Sequence, residues 1–332
     1  MSTTTTAASV IGAVAPVTRR VRAYFAPVNR TAGAPTVFDA AQTGGFALSA
    51  PPAPWVDLGW CSKFLRKSGA GSKSGVEALT TGAPAVVQSQ VRTLVEATVQ
   101  FEFESWGKLQ LALAAGSQQM NLLQTVNGAA ANGSGGLAAA AVPLAAGSTA
   151  TSLNVGATAA AQFHVGDLVA VDVDYTSQVG FVGSGVSAAY VSSAAAVGGD
   201  INYIRRVSLN VGRVVGIASG VLQLGGALLA GAPTAGMQVS SLVGFVDREG
   251  GGFFQEWSGL FVMDGEQGDR VIYHYPRLQA MQSSAEMVEP LAAPLERVRL
   301  AGAFRALPVK DANDGETVLC FRSYLPGAMR AV

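Results

Sequence analysis

The chain has 332 residues, of which only 13% are charged, and its formal net charge at pH 7 is zero. Tight nucleic-acid binding needs clustered lysine and arginine to displace phosphate counterions, so this balance argues against it. A monomer of this size usually carries more charge, so the composition indicates that much surface is buried against other chains. The alternative is a cohesive all-β monomer with small side chains. Apolar stretches are interrupted by glycine, proline and polar residues, so we expect no transmembrane helix.

Residues 1–36 are first rich in threonine and alanine and then punctuated by proline, which predicts an extended N-terminal arm. The short apolar run near the N-terminus has no basic region before it, so we expect no secretory signal. The charged and aromatic side chains of the arm suit docking on a neighbouring subunit, and a disordered leader is the alternative. The candidate contact residues are Arg19, Arg20, Arg22, Tyr24 and Phe25.

Residues 37–99 have a β pattern that is interrupted at 63–75 by the basic, glycine- and serine-rich segment KFLRKSGAGSKSG. This composition predicts a mobile surface loop. It lacks the spacing of a phosphate-binding loop, so a solvated loop is favoured over a phosphate site. Lys63, Arg66 and Lys67 are further candidates for contact with another subunit.

The clearest local signal is the segment VEATVQFEFE, in which apolar and polar residues alternate strictly. This period of two predicts a half-buried strand. Its polar face carries Glu96, Glu102 and Glu104. No base lies nearby in sequence, so we interpret them as a solvated acidic row and not as an acid–base site. The residues that follow predict a short helix with Ser105 as N-cap and Gly116 as C-cap.

Low-complexity sequence at 126–151 predicts a linker. Beyond it, short strands at close, turn-separated spacing predict a nearly uncharged module that resembles a small β-barrel. Richer composition returns near Phe245, and the segment DANDG at 311–315 predicts a turn before the last strand. The predicted organisation is an arm at 1–36, a discontinuous β domain at 37–145 and 245–332, and an inserted β module at 146–244.

The residue types that carry chemistry give an enzyme little support. His164 and His274 lie in unlike contexts, so a metal site built on a histidine pair is not favoured. The Asp-x-Asp pair at 172–174 could ligate calcium, but the rest of a ligand loop is missing. Cys61 and Cys320 have apolar neighbours, which predicts buried free thiols. Motifs for a nucleophile or a phosphate are also missing, so we expect no catalytic residue, cofactor or metal.

The densest aromatic cluster is the segment FFQEW, close to the charged triplet Asp-Arg-Glu at 247–249. A core strand is the simplest interpretation, a subunit interface comes next, and a platform for bases or sugars comes last. The candidate contact residues here are Arg248, Phe253, Phe254 and Trp257.

Three segments together resemble the tail tube (major tail) proteins of long-tailed phages: VEATVQFEFESWGKLQLALAAGSQQMNLL, GFVDREGGGFFQEWSGLFV and FRALPVKDANDGETVLCFRSYLPG. The resemblance lies mostly outside the inserted module. It implies a mainly β chain, a β-sandwich with one short flanking helix. It also implies rings of six copies, whose strands form a continuous inner barrel and which stack through arms and loops.

The resemblance implies a structural virion protein without enzymatic activity, whose stacked hexameric rings guide DNA ejection into the host. The expected partners are further copies of the chain and other tail proteins, such as tape measure, terminator and baseplate components. Double-stranded DNA would pass without specific binding, through a lumen lined by Glu96, Glu102 and Glu104. The expected location is the virion tail, assembled in the bacterial cytoplasm, with a non-contractile tail favoured. The inserted module would face outward as a decoration domain.

Two other classes of function stay open. One is a receptor- or glycan-binding β-protein that uses the aromatic cluster or the inserted module. The other is a different virion component, such as a head–tail connector or a decoration protein. The predicted arm and the basic loop favour contacts with other subunits over a glycan site.

Overall fold

A computed structural model describes residues 20–28, 34–69, 76–81, 83, 86–92, 96–116, 118–123, 141–172, 210–228, 231–235, 237–248, 256–266, 268–281, 285–290 and 296–327. These residues form a mainly β protein with two large sheets. The first sheet contains a closed barrel, and the second sheet packs around a core of its own.

Strands dominate the secondary structure of the described residues, and the helices are short. In chain order the strands are β1 Val21–Pro27, β2 Val56–Gly69, β3 Val76–Thr81, β4 Val86–Arg92, β5 Glu96–Phe103, β6 Gln118–Leu123, β7 Ala141–Pro143, β8 Ser152–Asn154, β9 Leu168–Asp172, β10 Val211–Ala218, β11 Val221–Leu224, β12 Gln238–Arg248, β13 Glu256–Asp264, β14 Arg270–Ala280, β15 Ala285–Pro290, β16 Glu296–Ala306, β17 Val309–Lys310, β18 Thr317–Val318 and β19 Phe321–Leu325. The helices are α1 Ala40–Thr43, α2 Lys108–Ala115 and α3 Ala157–Ala160.

Six strands of the first sheet close into an antiparallel barrel in the order β16–β5–β2–β1–β13–β14. The closing contact is between β14 and β16, where Leu278 pairs with Ala306 and Ala280 with Phe304. β15 continues the sheet beyond β16, and β19 continues it beyond β14. The resemblance implies a β-sandwich, which the described strands do not confirm. The pairing of β14 with β16 curves one sheet back onto itself into a barrel.

Aromatic rings fill the barrel. Phe101 and Phe304 stack with their ring centroids 5.7 Å apart, and Phe25 meets Phe304 edge-on at 5.2 Å. Phe261 meets Phe101 edge-on, also at 5.2 Å. Stacked and edge-to-face rings at these distances stabilise a core beyond the burial of their area. Leu113 of α2 belongs to the same cluster, so the short helix packs against the barrel core.

Helix α2 follows β5 as the sequence predicted, but its N-cap is Gly107 and not Ser105. The N–H of Gly107 donates to the side-chain oxygen of Gln110 at 3.0 Å, which satisfies a backbone group at the helix start. The predicted C-cap is confirmed, because Gly116 has a φ of 63°, the left-handed conformation that glycine adopts at helix ends.

Strand β1 corrects the predicted N-terminal arm. It lies inside the barrel wall and pairs with both β2 and β13. Ala23 and Phe25 face the barrel core, Tyr24 and Ala26 face the opposite side, and all four are 0% exposed. A strand buried on both faces has no polar alternation, so its sequence does not distinguish it from an arm. Residues 1–19 of the predicted arm lie outside the described residues.

Residues 34–55 form a strap over the outer face of β1, β13 and β14. Phe38 and Trp55 of the strap are buried there with apolar side chains from all three strands. Arg270 of β14 fixes the strap, since its guanidinium donates hydrogen bonds of 2.7 Å to two strap carbonyls. These strands are therefore covered on both faces, whereas β2, β5 and β16 carry half-exposed and exposed side chains on their outer face.

The second sheet has the order β6–β12–β9–β10–β11–β8, and β7 also pairs with β12. Its core includes residues that are 0% exposed: Leu153, Val169, Val171, Val214, Leu222 and Val239. The sheet spans Gln118 to Arg248, so the inserted unit is wider than the predicted 146–244. The predicted linker also contains β7, and residues 124–140 lie outside the described part of the chain.

His274 lies on β14 beneath the strap and is 2% exposed. Its ring meets Trp55 edge-on at 5.8 Å and stacks on Phe321 at 5.7 Å. Nε2 lies 3.3 Å from the carbonyl oxygen of Thr36 in the strap. Burial lowers the pKa of His274 from 6.5 to about 4, against the smaller, opposite effect of the Thr36 contact. The imidazole is therefore neutral at pH 7.

Replacing Phe304 by alanine is expected to lower the free energy of unfolding by about 3–5 kcal/mol, because it opens a cavity beside the rings of Phe25 and Phe101. Leu65→Ala is the control, since Leu65 is on β2 of the same barrel but 46% exposed. It should change stability by about 0.5 kcal/mol or less. Urea unfolding of both variants measures the difference, and similar losses would contradict the barrel core described above.

Lowering the pH from 7 to 4 is expected to destabilise the protein through His274. The pKa is lower in the folded state than in the unfolded state, so the unfolded state binds more protons in this range. The free energy of unfolding then falls with pH by up to about 3 kcal/mol from this residue.

Urea unfolding at several pH values should show a smaller loss in His274→Phe than in the unaltered protein. His164→Phe is the control, because the His164 side chain is 80% exposed. It should keep the full pH dependence. An unchanged pH dependence in His274→Phe would contradict the role given to this residue.

Candidate subunit interface

The predicted acidic row lies on the outer side of β5. Burial alternates along the strand as the sequence predicted: Ala97, Val99, Phe101 and Phe103 are buried, and the residues between them are half-exposed. Glu96 and Glu102 are on the half-exposed face, and Glu104 follows directly after the strand. The side chains that alternate with them belong to the barrel core, so the row is on the outer surface of the barrel wall.

Basic side chains from neighbouring strands neutralise this row. Glu102 forms ion pairs with Arg299 of β16 and with Lys63 of β2, the latter at 2.9 Å. Arg299 also reaches Glu289 of β15 at 3.3 Å, and Arg297 pairs with Glu289 at 2.9 Å. Four strands are therefore joined by one connected network of charges.

The two remaining glutamates of the row are also paired. Arg305 approaches Glu96 to 3.2 Å, and Arg20 approaches Glu104 to 3.6 Å. Together these ion pairs join four carboxylates, those of Glu96, Glu102, Glu104 and Glu289, to five basic groups, those of Arg20, Lys63, Arg297, Arg299 and Arg305. The outer surface around β5 is close to charge balance and not acidic as the sequence alone predicted.

A β-bulge in β2 explains where the basic residues of the predicted loop point. The register with β5 shifts between Ser62 and Leu65, and Lys63 has a φ of 50°, a left-handed conformation. The bulge leaves Lys63 and Lys67 exposed but turns Arg66 inward. Arg66 Nε donates to the hydroxyl of Tyr275 at 2.8 Å, so Arg66 is tied to the barrel core and is not a free contact residue.

The structure also corrects the prediction that residues 63–75 form a mobile surface loop. Residues 63–69 are part of β2 and pair with β5. The rest of the predicted loop, residues 70–75, lies outside the described residues. The glycine and serine content that predicted the loop is concentrated in that second part.

Three other predicted contact residues lie in the interior. Tyr24 and Phe25 are 0% exposed and Trp257 is 3% exposed, so these three do not reach another subunit from the folded chain. Burial raises the pKa of Tyr24, and its protonated hydroxyl donates to the carbonyl of Leu48 at 2.8 Å. Aromatic residues predict a core as well as they predict an interface, which is why the sequence did not separate the two.

Arg20 and Arg22 lie at the outer surface beside Trp60. Arg22 forms a two-pronged ion pair with Asp57, and that hydrogen bond raises the pKa of Arg22. Its guanidinium also lies 5.1 Å from the centre of the Trp60 ring. Of the other predicted contact residues, Arg248 is the last residue of β12, and the structure describes its backbone only. Arg19, Phe253 and Phe254 are not among the described residues.

The sequence did not identify the most exposed part of the barrel sheet. β16 pairs with β5 only from Leu300 onward, so its first residues and β15 form a hairpin beyond the barrel. Met287 is 54% exposed, Val288 62% and Val298 41%. Exposed apolar residues on a projecting strand mark a contact surface. The only sequence signal was the pair Met-Val between two glutamates, which is too short to show a face.

The chemistry available elsewhere in the described residues is limited. No group of three or more histidine, cysteine, aspartate or glutamate side chains there could hold a metal ion. Cys61 is buried and Cys320 half-buried, both as free thiols, and burial raises the pKa of each. An open cavity of about 340 Å³ is lined by Trp60, Asp264 and Glu266, and Asp264 is already paired with Arg270 at 2.6 Å.

Comparison with protein-family models and with curated protein sequences finds no match to the chain. Among the helices in the described residues, none has both the length and the apolar composition to span a membrane. Neither comparison assigns the chain to a family.

Arg299 and Arg297 provide a matched test of the charge network, because both pair with Glu289 but differ in exposure, 17% against 55%. Arg299→Met is expected to lower the free energy of unfolding by about 1–3 kcal/mol, since it leaves the half-buried Glu102 with one partner fewer. Arg297→Met should cost about 0.5 kcal/mol or less. Denaturant unfolding measures both, and equal effects would show that the network does not stabilise the sheet.

Proposed function

We propose that this chain is a structural protein that assembles with copies of itself into the tail tube of a long-tailed phage. The observation that carries self-assembly is the hairpin of β15 and β16. It projects from the closed barrel, the outer edge of β15 pairs with no other described strand, and Met287 and Val288 are exposed. A free edge with apolar side chains is the surface on which another chain adds.

The charge-balanced surface around β5 supports the conduit part of the proposal. A tube that conducts DNA should not hold it, and a surface whose carboxylates and basic groups nearly cancel releases few phosphate counterions. In the proposed tube, Glu96, Glu102 and Glu104 line the lumen together with their basic partners. DNA would then meet a nearly neutral wall, and double-stranded DNA would pass without specific binding.

The identity of the assembly as a phage tail tube depends on the three resembling segments. The first runs through β5, α2 and β6, the second contains the end of β12 and most of β13, and the third contains the end of β16 with β17, β18 and β19. Of these strands, β5, β13, β16 and β19 belong to the barrel sheet, β6 and β12 belong to the inserted unit, and β17 and β18 pair with each other. The proposed partners are other copies in stacked hexameric rings, together with tape measure, terminator and baseplate proteins in the virion tail.

Electron microscopy of the purified chain tests this proposal. Negative staining is expected to show six-fold rings or stacked tubes, and light scattering should show a mass that grows with protein concentration. Phe304→Ala serves as a control, because a damaged barrel should lose assembly together with stability. A chain that stays monomeric at all concentrations and binds a glycan array would overturn the tail tube and favour a receptor-binding protein.

A further inference from the structure

We infer that strand β15 of one copy pairs with strand β19 of the next copy, so that successive barrels share one continuous sheet. The inference rests on the proposed self-assembly and adds to it the two strands that make the contact. Both belong to the eight-stranded sheet, which has the order β15–β16–β5–β2–β1–β13–β14–β19. They are the two ends of that order.

Each of these strands has a single partner among the described residues. β15 pairs with β16, and β19 pairs with β14. On the other side, each presents backbone N–H and C=O groups that can accept a further strand. A contact between two different ends of identical molecules is head-to-tail, and it closes a ring when the rotation between copies divides a full turn.

The backbone of β15 faces outward at Val288. The carbonyl oxygen of Val298 accepts a hydrogen bond of 3.0 Å from Trp106 Nε1, so it points away from β15. Directly opposite residues in an antiparallel pair exchange both hydrogen bonds or neither, and Val298 is opposite Val288. The N–H and C=O of Val288 therefore point to the free edge. Pro290, two residues further, has no N–H to give and marks where pairing with another strand stops.

Charge favours β15 against β19 over either strand against itself. Glu286 on β15 and Arg322 on β19 are exposed, and neither is in an ion pair with another described residue. If the β15 strands of two copies paired with each other, Glu286 and Glu289 of one copy would lie against the same two glutamates of the other copy. If two β19 strands paired, Arg322 of one copy would lie near Arg322 of the other. Like charges opposite each other destabilise a strand pair. Pairing of β15 with β19 brings opposite charges together.

The side chains of β15 add to the contact. Met287 and Val288 are neighbours in a strand, so they lie on opposite faces of the hairpin, and both are more than half exposed. An added strand would cover part of each side chain, which contributes roughly 25 cal/mol for each Å² of apolar surface buried. The edge therefore offers apolar burial on both faces as well as backbone hydrogen bonds.

A pair of variants of the full chain separates backbone pairing from side-chain effects. Val288→Pro removes the outward N–H without removing a bond between β15 and β16. It is expected to weaken association by about tenfold or more in sedimentation measurements. Val288→Thr keeps the N–H and the branched shape, and should stay within about threefold of the unaltered chain. Circular dichroism checks that both variants fold. Assembly of Val288→Pro at unaltered strength would overturn the contact.

Charge exchange tests the identity of the two strands and does not depend on proline being tolerated. Glu286→Arg and Arg322→Glu are each expected to weaken association by about tenfold, because each places like charges across the contact. The double variant restores opposite charges and should return to within about threefold of the unaltered chain. Failure of the double variant to recover would overturn the pairing of β15 with β19.

The outcomes distinguish this contact from the proposed function. If the unaltered chain forms rings and every variant forms the same rings, the contact between β15 and β19 is overturned while the tail tube proposal stands. If the unaltered chain remains monomeric under all the conditions compared, both proposals are overturned. Rings that are lost in Val288→Pro and regained in the double charge variant support both.

Discussion

Closure of the barrel by β14 and β16 is the constraint on which the rest of the architecture depends. β14 has eleven residues; one edge pairs with β13, and the other edge is divided between β19 at its first half and β16 at its last residues. β16 divides one edge in the same way, between β15 at its first residues and β14 at its last, while its other edge pairs with β5. Strands longer than the closing contact must overhang it at both ends. The projecting hairpin and the free edge of β19 therefore both follow from the register in which β14 pairs with β16. Closure pairs the six barrel strands with one another and leaves the outer edges of β15 and β19 without a partner strand among the described residues.

The electrostatics of the outer surface depend on the same register. Glu102 is opposite Ala301 of β16, which places it beside Arg299, and the bulge in β2 brings Lys63 over it from the other side. A register shift by one residue would move these side chains to the opposite face of the wall. The polar face of β5 could be predicted from alternation within ten residues. Its neutralisation could not, because the basic partners come from strands distant in sequence.

The local patterns that were predictable share one property: a single stretch of chain contains all the information. Alternation in β5 and the left-handed glycine at Gly116 are of this kind. β1 was predicted as an arm because one face packs on the barrel and the other under the strap, so no polar residue marks a surface. The prediction that Tyr24, Phe25 and Trp257 contact another subunit was wrong for the same reason, since tertiary burial and subunit contact select the same residue types.

The inserted unit is built from different residues than the barrel and its proposed contacts. All six barrel strands come from residues 20–116 and 256–327, as do β15 and β19, whereas the described strands between 118 and 248 form a sheet around a separate core. A unit with its own core adds little constraint to the domain that carries it. Its strands contribute no residue to the closing contact or to the two open edges of the barrel sheet. The sequence of the inserted unit can therefore diverge, in size and in surface, without altering the edges through which copies are proposed to join.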